Sequence, residues 1–212
     1  MSRIADPRRT YGVVKGDQRE KIGFTLWHRL TYTSGATLSL EFFTVAASGL
    51  NGNLPGAGQL PNGNQFLVKA IRIMPALRPQ EAAGAAIAAG TIAGPIEDMF
   101  QFITTGHAAF SVGDKNYGRW PIFMLPAGAG LTGQVHVSGI SAAAGNLVEH
   151  SWANNGNADP RQVYTLDVPI LIPSQYNFKV VLEWPVAVAA SASFTNPFIF
   201  VMLDGQLVRP SQ

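Results

Sequence analysis

The chain of 212 residues carries 15 basic and 13 acidic side chains, and its charged fraction of 13% is about half the usual value. With no cysteine, it excludes disulfides, thiolate nucleophiles and cysteine-held metals, and it carries no sign of an oxidising compartment. Its 22 glycines and 14 prolines make it rich in turns, and at this length one large all-β domain, burying roughly 70 to 75% of its unfolded surface, accounts for the chain.

So little charge predicts a surface covered in part by other subunits, the alternative being a neutral monomer coated with Ser, Thr, Asn and Gln. Met1 to Arg9 lack an apolar h-region and no Asn-x-Ser/Thr sequon occurs, so the expectation is a protein that is not secreted. The low-charge runs Glu81 to Ile96 and Pro185 to Leu203 are broken by Gly94-Pro95 and Asn196-Pro197, and neither reads as a membrane span.

Residues 1 to 21 hold Arg3, Arg8, Arg9, Lys15, Arg19 and Lys21 against Asp6, Asp17 and Glu20, and this stretch carries the positive excess of the chain. It is expected to be a basic arm, with Arg3, Arg8, Arg9, Lys15 and Arg19 as contacts to nucleic acid or to a neighbouring subunit. A solvated or docked arm without such a partner is the plain alternative.

Ile22 to Tyr32 and Thr37 to Val45 read as two strands of a hairpin around Thr33-Ser34-Gly35-Ala36, with Leu38, Leu40 and Phe42 on its apolar face. Leu50 to Asn64, dense in Gly, Asn and Pro, is a long loop, and Phe66 to Met74 is the next strand, leaving Lys69 and Arg72 available to solvent or a partner. Glu81 to Gly94 is low in complexity and is either a loop or a short helix. After it, Pro95 to Ile103 has proline at a first helical position, acids in the first turn, and Ile96, Met99, Phe100 and Ile103 on one stripe, which predicts a short covering helix.

Ala108 to Val112 and Trp120 to Leu125 are short strands, Gln134 to Ile140 is another, and Gly145 to Pro160 reads as a polar loop. Val163 to Ile172 and Tyr176 to Trp184 flank Pro173-Ser174-Gln175 and predict an antiparallel pair. Tyr176, Phe178, Val180, Leu182 and Trp184 share its inner face, and Pro169 marks an edge or a bulge. Phe198 to Leu203, a turn at Asp204-Gly205, and Gln206 to Pro210 close the chain. About eight or nine short strands fit a sandwich or jelly roll.

Several patterns suggest chemistry. Gly128-Ala129-Gly130-Leu131-Thr132-Gly133 matches G-x-G-x-x-G, but a strand rather than a helix follows it, so it is not a dinucleotide fingerprint. His28, His107, His136 and His150 show neither H-x-H nor H-E-x-x-H spacing and read as satisfied or exposed histidines. Glu97-Asp98 suit the helix dipole better than acid/base work. No G-x-S-x-G elbow is present. Of the tryptophans, Trp184 alternates with core residues, whereas Trp152 in its polar loop is the candidate for a surface contact with a sugar.

The succession Leu60 to Val68, Phe110 to Tyr117, Leu125 to Gly128 and Pro169 to Pro173 with Phe178-Lys179-Val180 resembles viral jelly-roll virion proteins, especially capsid proteins of bacterial viruses. That resemblance implies an all-β, single jelly-roll-like antiparallel β-sandwich with one short helix, residues 22 to 212, behind the arm 1 to 21. It also implies a structural subunit that self-assembles into an icosahedral shell, without catalytic residues, cofactor or metal. Its partners would be copies of itself, other virion proteins and, through the arm, the genome, in a virion assembled in the host cytoplasm. A cement or decoration subunit is the near alternative. A carbohydrate- or receptor-binding module using Trp152, and an enzyme of the cupin kind needing a convergent His and acid cluster, are the readings from other classes.

Overall fold

The computed structural model describes residues 19–47, 49–76, 80–82, 94–128, 132–139, 147–154, 163–189 and 197–210. The arm residues Arg3, Arg8, Arg9 and Lys15 lie outside them. Eleven strands are found among the described residues: β1 (Arg19–Thr31), β2 (Ser39–Phe42), β3 (Gln65–Ala76), β4 (Gln80–Ala82), β5 (His107–Val112), β6 (Lys115–Pro121), β7 (Thr132–Gly139), β8 (Leu147–Asn154), β9 (Thr165–Ile172), β10 (Phe178–Glu183) and β11 (Phe198–Pro210). One helix, α1 (Gly94–Thr105), lies between β4 and β5, and a 3-10 turn (Ile122–Met124) follows β6.

The strands form two four-stranded sheets, ordered β1-β11-β3-β9 and β2-β10-β5-β6, and a three-stranded sheet β4-β8-β7. Every strand pair is antiparallel. With β4, β7 and β8 set aside, the remaining strands pair first with last (β1 with β11), second with seventh (β2 with β10), third with sixth (β3 with β9) and fourth with fifth (β5 with β6). This is one long hairpin rolled up on itself, the jelly-roll arrangement. β4 and α1 are inserted between β3 and β5, and the β7–β8 hairpin between β6 and β9.

The inner faces follow the alternation of the sequence. Ile199, Val201 and Leu203 of β11 with Phe66, Val68, Ile71 and Ile73 of β3 meet Phe178, Val180 and Leu182 of β10 and Phe110 of β5. At one end α1 closes the core. Its Phe102 meets Tyr32 and Trp184 edge-on, with ring centroids 4.7 Å and 6.1 Å apart, and the indole N–H of Trp184 donates to the Phe102 carbonyl at 3.1 Å. The Tyr32 hydroxyl accepts from the Val188 N–H at 2.7 Å, so both polar rings are satisfied inside the core.

The structure departs from the sequence reading in physically instructive ways. The stretches Ile22 to Tyr32 and Thr37 to Val45 are strands but not a hairpin, because β1 joins β11 and β2 joins β10 in the opposite sheet. The same holds for Val163 to Ile172 and Tyr176 to Trp184. Between them Pro173 and Gln175, the latter at φ 60°, carry the chain across the sandwich instead of back along one sheet. Strands facing each other across a core alternate in the same way as strands paired side by side, so the pattern could not tell the two apart.

Asp204-Gly205 is no turn: β11 runs straight through it, with a register shift against β3. A Cβ on Gly205 would lie 1.9 Å from the Leu67 carbonyl oxygen, so only glycine lets the two backbones approach there. On α1 Met99 and Ile103 are buried as the stripe predicted, but Phe100 is 56% exposed and Phe102, fully buried, takes its place, since the face centred on Met99 takes Phe102 and Ile103. The polar loop assigned to Gly145 to Pro160 contains β8, so Trp152 belongs to a strand, opposite Gln134 of β7. Tyr176 lies exposed before β10 begins. Pro169 does sit on the edge strand β9, where the pairing with β3 is also interrupted.

Candidate functional site

Of the residues singled out as arm contacts, only Arg19 is described, at the first position of β1 opposite Pro210. β1 thus takes in Arg19, Glu20 and Lys21, and the Arg209 guanidinium pairs with Glu20 at 2.9 Å to fasten this end of the strand to β11. The backbone of β1 between Thr25 and Arg29 is covered on its open side by Asn51 to Asn53. The Asn53 side chain accepts from the Trp27 N–H at 2.8 Å and donates to the Thr25 carbonyl at 2.7 Å, and the Arg29 N–H donates to the Asn51 carbonyl at 2.8 Å. The edge is blunted there against further pairing.

The opposite edge of that sheet, β9, exposes Val168 (77%) and, three residues on, Leu171. Other exposed large hydrophobics among the described residues include Phe100 on α1, Phe123 and Met124 on the 3-10 turn, Tyr117 on β6, and Leu50 and Val186 in loops.

The outer face of the second sheet is polar. Lys179 pairs with Glu41 at 2.7 Å, and Arg119 pairs with Glu183 across the same face. Beside the first pair lies an open recess of about 340 Å³, lined by Glu41, Thr44, Gly58, Ser111, Asn177 and Lys179 among others. Three loops shape it. Gly113, at φ +58°, makes the two-residue turn between β5 and β6 and donates its N–H to the Asn177 carbonyl at 2.7 Å; Gln59 donates to the Asn177 side chain at 2.7 Å; and the Phe178 N–H donates to the Gly58 carbonyl at 2.9 Å. The exposed ring of Tyr176 lies next to Gly113. Net charge in the recess cancels, and hydroxyl and amide groups dominate, a lining suited to an uncharged, hydroxyl-rich ligand. The sequence did not reveal it, because its members belong to four separate segments; the turn residues beside Tyr176 were the only local sign.

His28 is 1% exposed and is the one buried polar or charged side chain among the described residues. Its Nδ1 accepts from the Phe43 N–H at 2.8 Å, holding Phe43 at φ 68°, a left-handed conformation rare for a bulky residue. The rings of Phe42 and Phe43 pack against the imidazole, with centroids 5.8 Å and 5.7 Å away, and burial pushes its pKa below the ordinary value of 6.5. His28 is a structural histidine. His107 is exposed on the second sheet, opposite Glu183.

Among the described residues no group of three metal-ligating side chains converges, and no helix is long and apolar enough to cross a membrane. Comparison of the chain with protein-family models, with curated proteins and with solved structures finds no match.

Proposed function

We propose that the chain is a structural virion protein, a capsid subunit that assembles with copies of itself into an icosahedral shell. The observation that supports this reading is the exposure of large apolar side chains among the described residues: Val168 and Leu171 on β9, the last strand of its sheet, and Phe100, Phe123 and Met124 on α1 and the 3-10 turn, apolar surface of the kind that neighbouring subunits cover. A rolled-up sandwich that exposes such side chains and carries few charges suits a subunit repeated by symmetry. In this reading Arg3, Arg8, Arg9, Lys15 and Arg19 of the basic segment contact the genome or the neighbouring subunit, the other virion proteins are partners, and the place of action is the virion.

The test is the mass of the purified full chain in solution across protein and salt concentration, by analytical ultracentrifugation with electron images of the same samples. Rings, capsomers or shells that are lost when Val168 and Leu171 are both changed to Asp are the expected result. A strict monomer at every concentration, and no binding to a preformed shell, overturns both the shell and the cement readings.

The recess at Glu41, Ser111, Asn177 and Lys179 supports a second reading, a carbohydrate-binding module, with Tyr176 rather than Trp152 as its aromatic contact. Glycan-array binding that survives Trp152→Ala and is lost in Tyr176→Ala separates the two aromatic assignments.

A further inference from the structure

The two four-stranded sheets carry unlike outer faces. On the second, Lys179 and Arg119 each have an acid of their own, Glu41 and Glu183. On the first, alternation turns Leu26 and His28 of β1 and Ile199, Val201 and Leu203 of β11 into the core. It therefore turns Trp27 and Arg29, with Phe198, Phe200 and Met202, to the outside, where all five are half-buried. The register sets Arg29 opposite Phe200 and Trp27 opposite Met202, and Met74 and Arg72 of β3 continue the same two rows. The Arg29 guanidinium lies over the Phe198 ring, 4.4 Å from its centroid, and 6.0 Å from that of Phe200; the Trp27 and Phe200 rings are 6.2 Å apart. Phe198, Arg29, Phe200 and Trp27 thus make one track of flat groups, on the order of 13 Å long at the usual rise per strand residue. The charge around it is positive. Lys21 shares the face and Lys69 is exposed at the bulge, whereas the nearest acid, Asp204, is already engaged by Arg72 and Thr25, and Asp167 stands on the far strand β9. Glu20 falls on the alternate side and pairs with Arg209.

We propose that this face of β1, β11 and β3 binds single-stranded nucleic acid, with bases stacked on Trp27, Phe198 and Phe200 and phosphates held by Arg29, Lys21 and Lys69. Along a single strand flat apolar bases alternate with negative phosphates, and here flat rings alternate with cations. Aromatic side chains on an open sheet surface hold about two or three bases in this way. Every base has a π-face, so such stacking tolerates any sequence. A guanidinium stacked on a ring still offers its N–H groups to an anion. The Arg29 Nε donates to the Asn51 side chain at 3.1 Å, which fixes the fork and leaves its terminal N–H groups for phosphate. Other occupants fit less well. An apolar protein surface would bury the guanidinium without a counter-charge, a duplex hides the faces of its bases, and a neutral sugar has no use for the cations. The inference does not rest on the shell reading or on contacts by Arg3, Arg8, Arg9 and Lys15. Its mark is a demand for unpaired bases, which a basic segment drawn to phosphate alone does not make.

The experiment is fluorescence anisotropy of the full chain with a short labelled oligothymidylate, compared with the duplex it forms with oligoadenylate, over a series of salt concentrations. Saturable binding at low salt is expected, tighter for the single strand than for the duplex. Trp27→Ala and Phe200→Ala each weaken it about tenfold or more, whereas Phe200→Tyr, which keeps a stacking ring, binds like the unaltered chain. Arg29→Ala weakens binding and flattens its salt dependence, and Tyr176→Ala, beside the other sheet, changes nothing. Changing Arg3, Arg8, Arg9 and Lys15 together to Ala preserves the preference for the single strand. Circular dichroism of each variant checks that the sandwich is intact. Ultraviolet cross-linking of the unaltered chain to the oligonucleotide needs no variant, and its adducts should fall on peptides that contain Trp27, Phe198 or Phe200. Absence of saturable binding at low salt overturns the proposal. So does binding that ignores strandedness and survives the double change of Trp27 and Phe200 to Ala, or cross-linking confined to other segments. Binding to anionic lipid vesicles without binding to the oligonucleotide would assign the face to a membrane surface and overturn it as well.

Discussion

Acidification should weaken this fold through His28. The imidazole is buried, its Nδ1 accepts the Phe43 N–H at 2.8 Å, and among the described residues no carboxylate pairs with it. Protonation turns that acceptor into a second donor aimed at an N–H and places an unpaired charge between two phenylalanine rings. The folded state therefore resists protonation, and its pKa lies below 6.5 because of burial. Well above pH 6.5 the group is neutral in both states and adds no pH dependence. As pH falls below that value the unfolded chain takes up a proton that the folded chain refuses, so stability is lost on the acid side. Linkage for one proton limits the slope to about 1.4 kcal/mol per pH unit, hence to at most about 2 kcal/mol between pH 6.5 and pH 5. Urea unfolding of the full chain and of His28→Gln at a series of pH values, with carboxylate effects common to both, isolates the histidine. The unaltered chain should lose stability more steeply than the variant on the acid side, with the two curves parallel above neutrality. Parallel curves throughout, or a steeper acid loss in the variant, would refute the reasoning.

Gly205→Ala should cost roughly 2 kcal/mol or more, since the added Cβ meets the Leu67 carbonyl oxygen at 1.9 Å, whereas Gly23→Ala, whose Cβ would meet nothing within 4 Å, should change stability by no more than about 1 kcal/mol; thermal melts of the pair check the contrast. Asp204 accepts from Thr25 at 2.6 Å and from the two arms of the Arg72 guanidinium, one at 2.8 Å, tying β1, β11 and β3 together at the bulge. Asp204→Ala should destabilise by about 2 kcal/mol. Combined with Arg72→Met it should cost less than the sum of the two single changes, a coupling measurable by urea unfolding. Arg119→Ala, by contrast, breaks an ion pair between well-exposed partners and should cost no more than about 1 kcal/mol by the same measurement.

Much of the inner surface was legible along the chain. Phe178, Val180, Leu182 and Trp184 alternate in the sequence and are buried in the structure, because period-two patterning reports which face of a strand meets a core. Pro169 announced an edge through its missing N–H, and Pro95 announced the start of a helix through its fixed φ. The composition, poor in charge and rich in turns, likewise pointed to an all-β sandwich, which the sheets bear out.

Which strand lies beside which was decided only in three dimensions. The rolled pairing of first strand with last joins Arg19 to Pro210, a partnership no local pattern encodes, since alternation is the same whether a neighbour sits beside a strand or across the core from it. Gly205 read as a turn and proved to be a close approach, because the oxygen that demands a glycine belongs to Leu67 on another strand. His28 could be judged satisfied only once Phe43 stood 2.8 Å from its Nδ1. The recess at Lys179 follows the same rule. Sequence fixes which side chains are available, while register, set by long-range backbone pairing and by the burial it permits, decides which of them share a place.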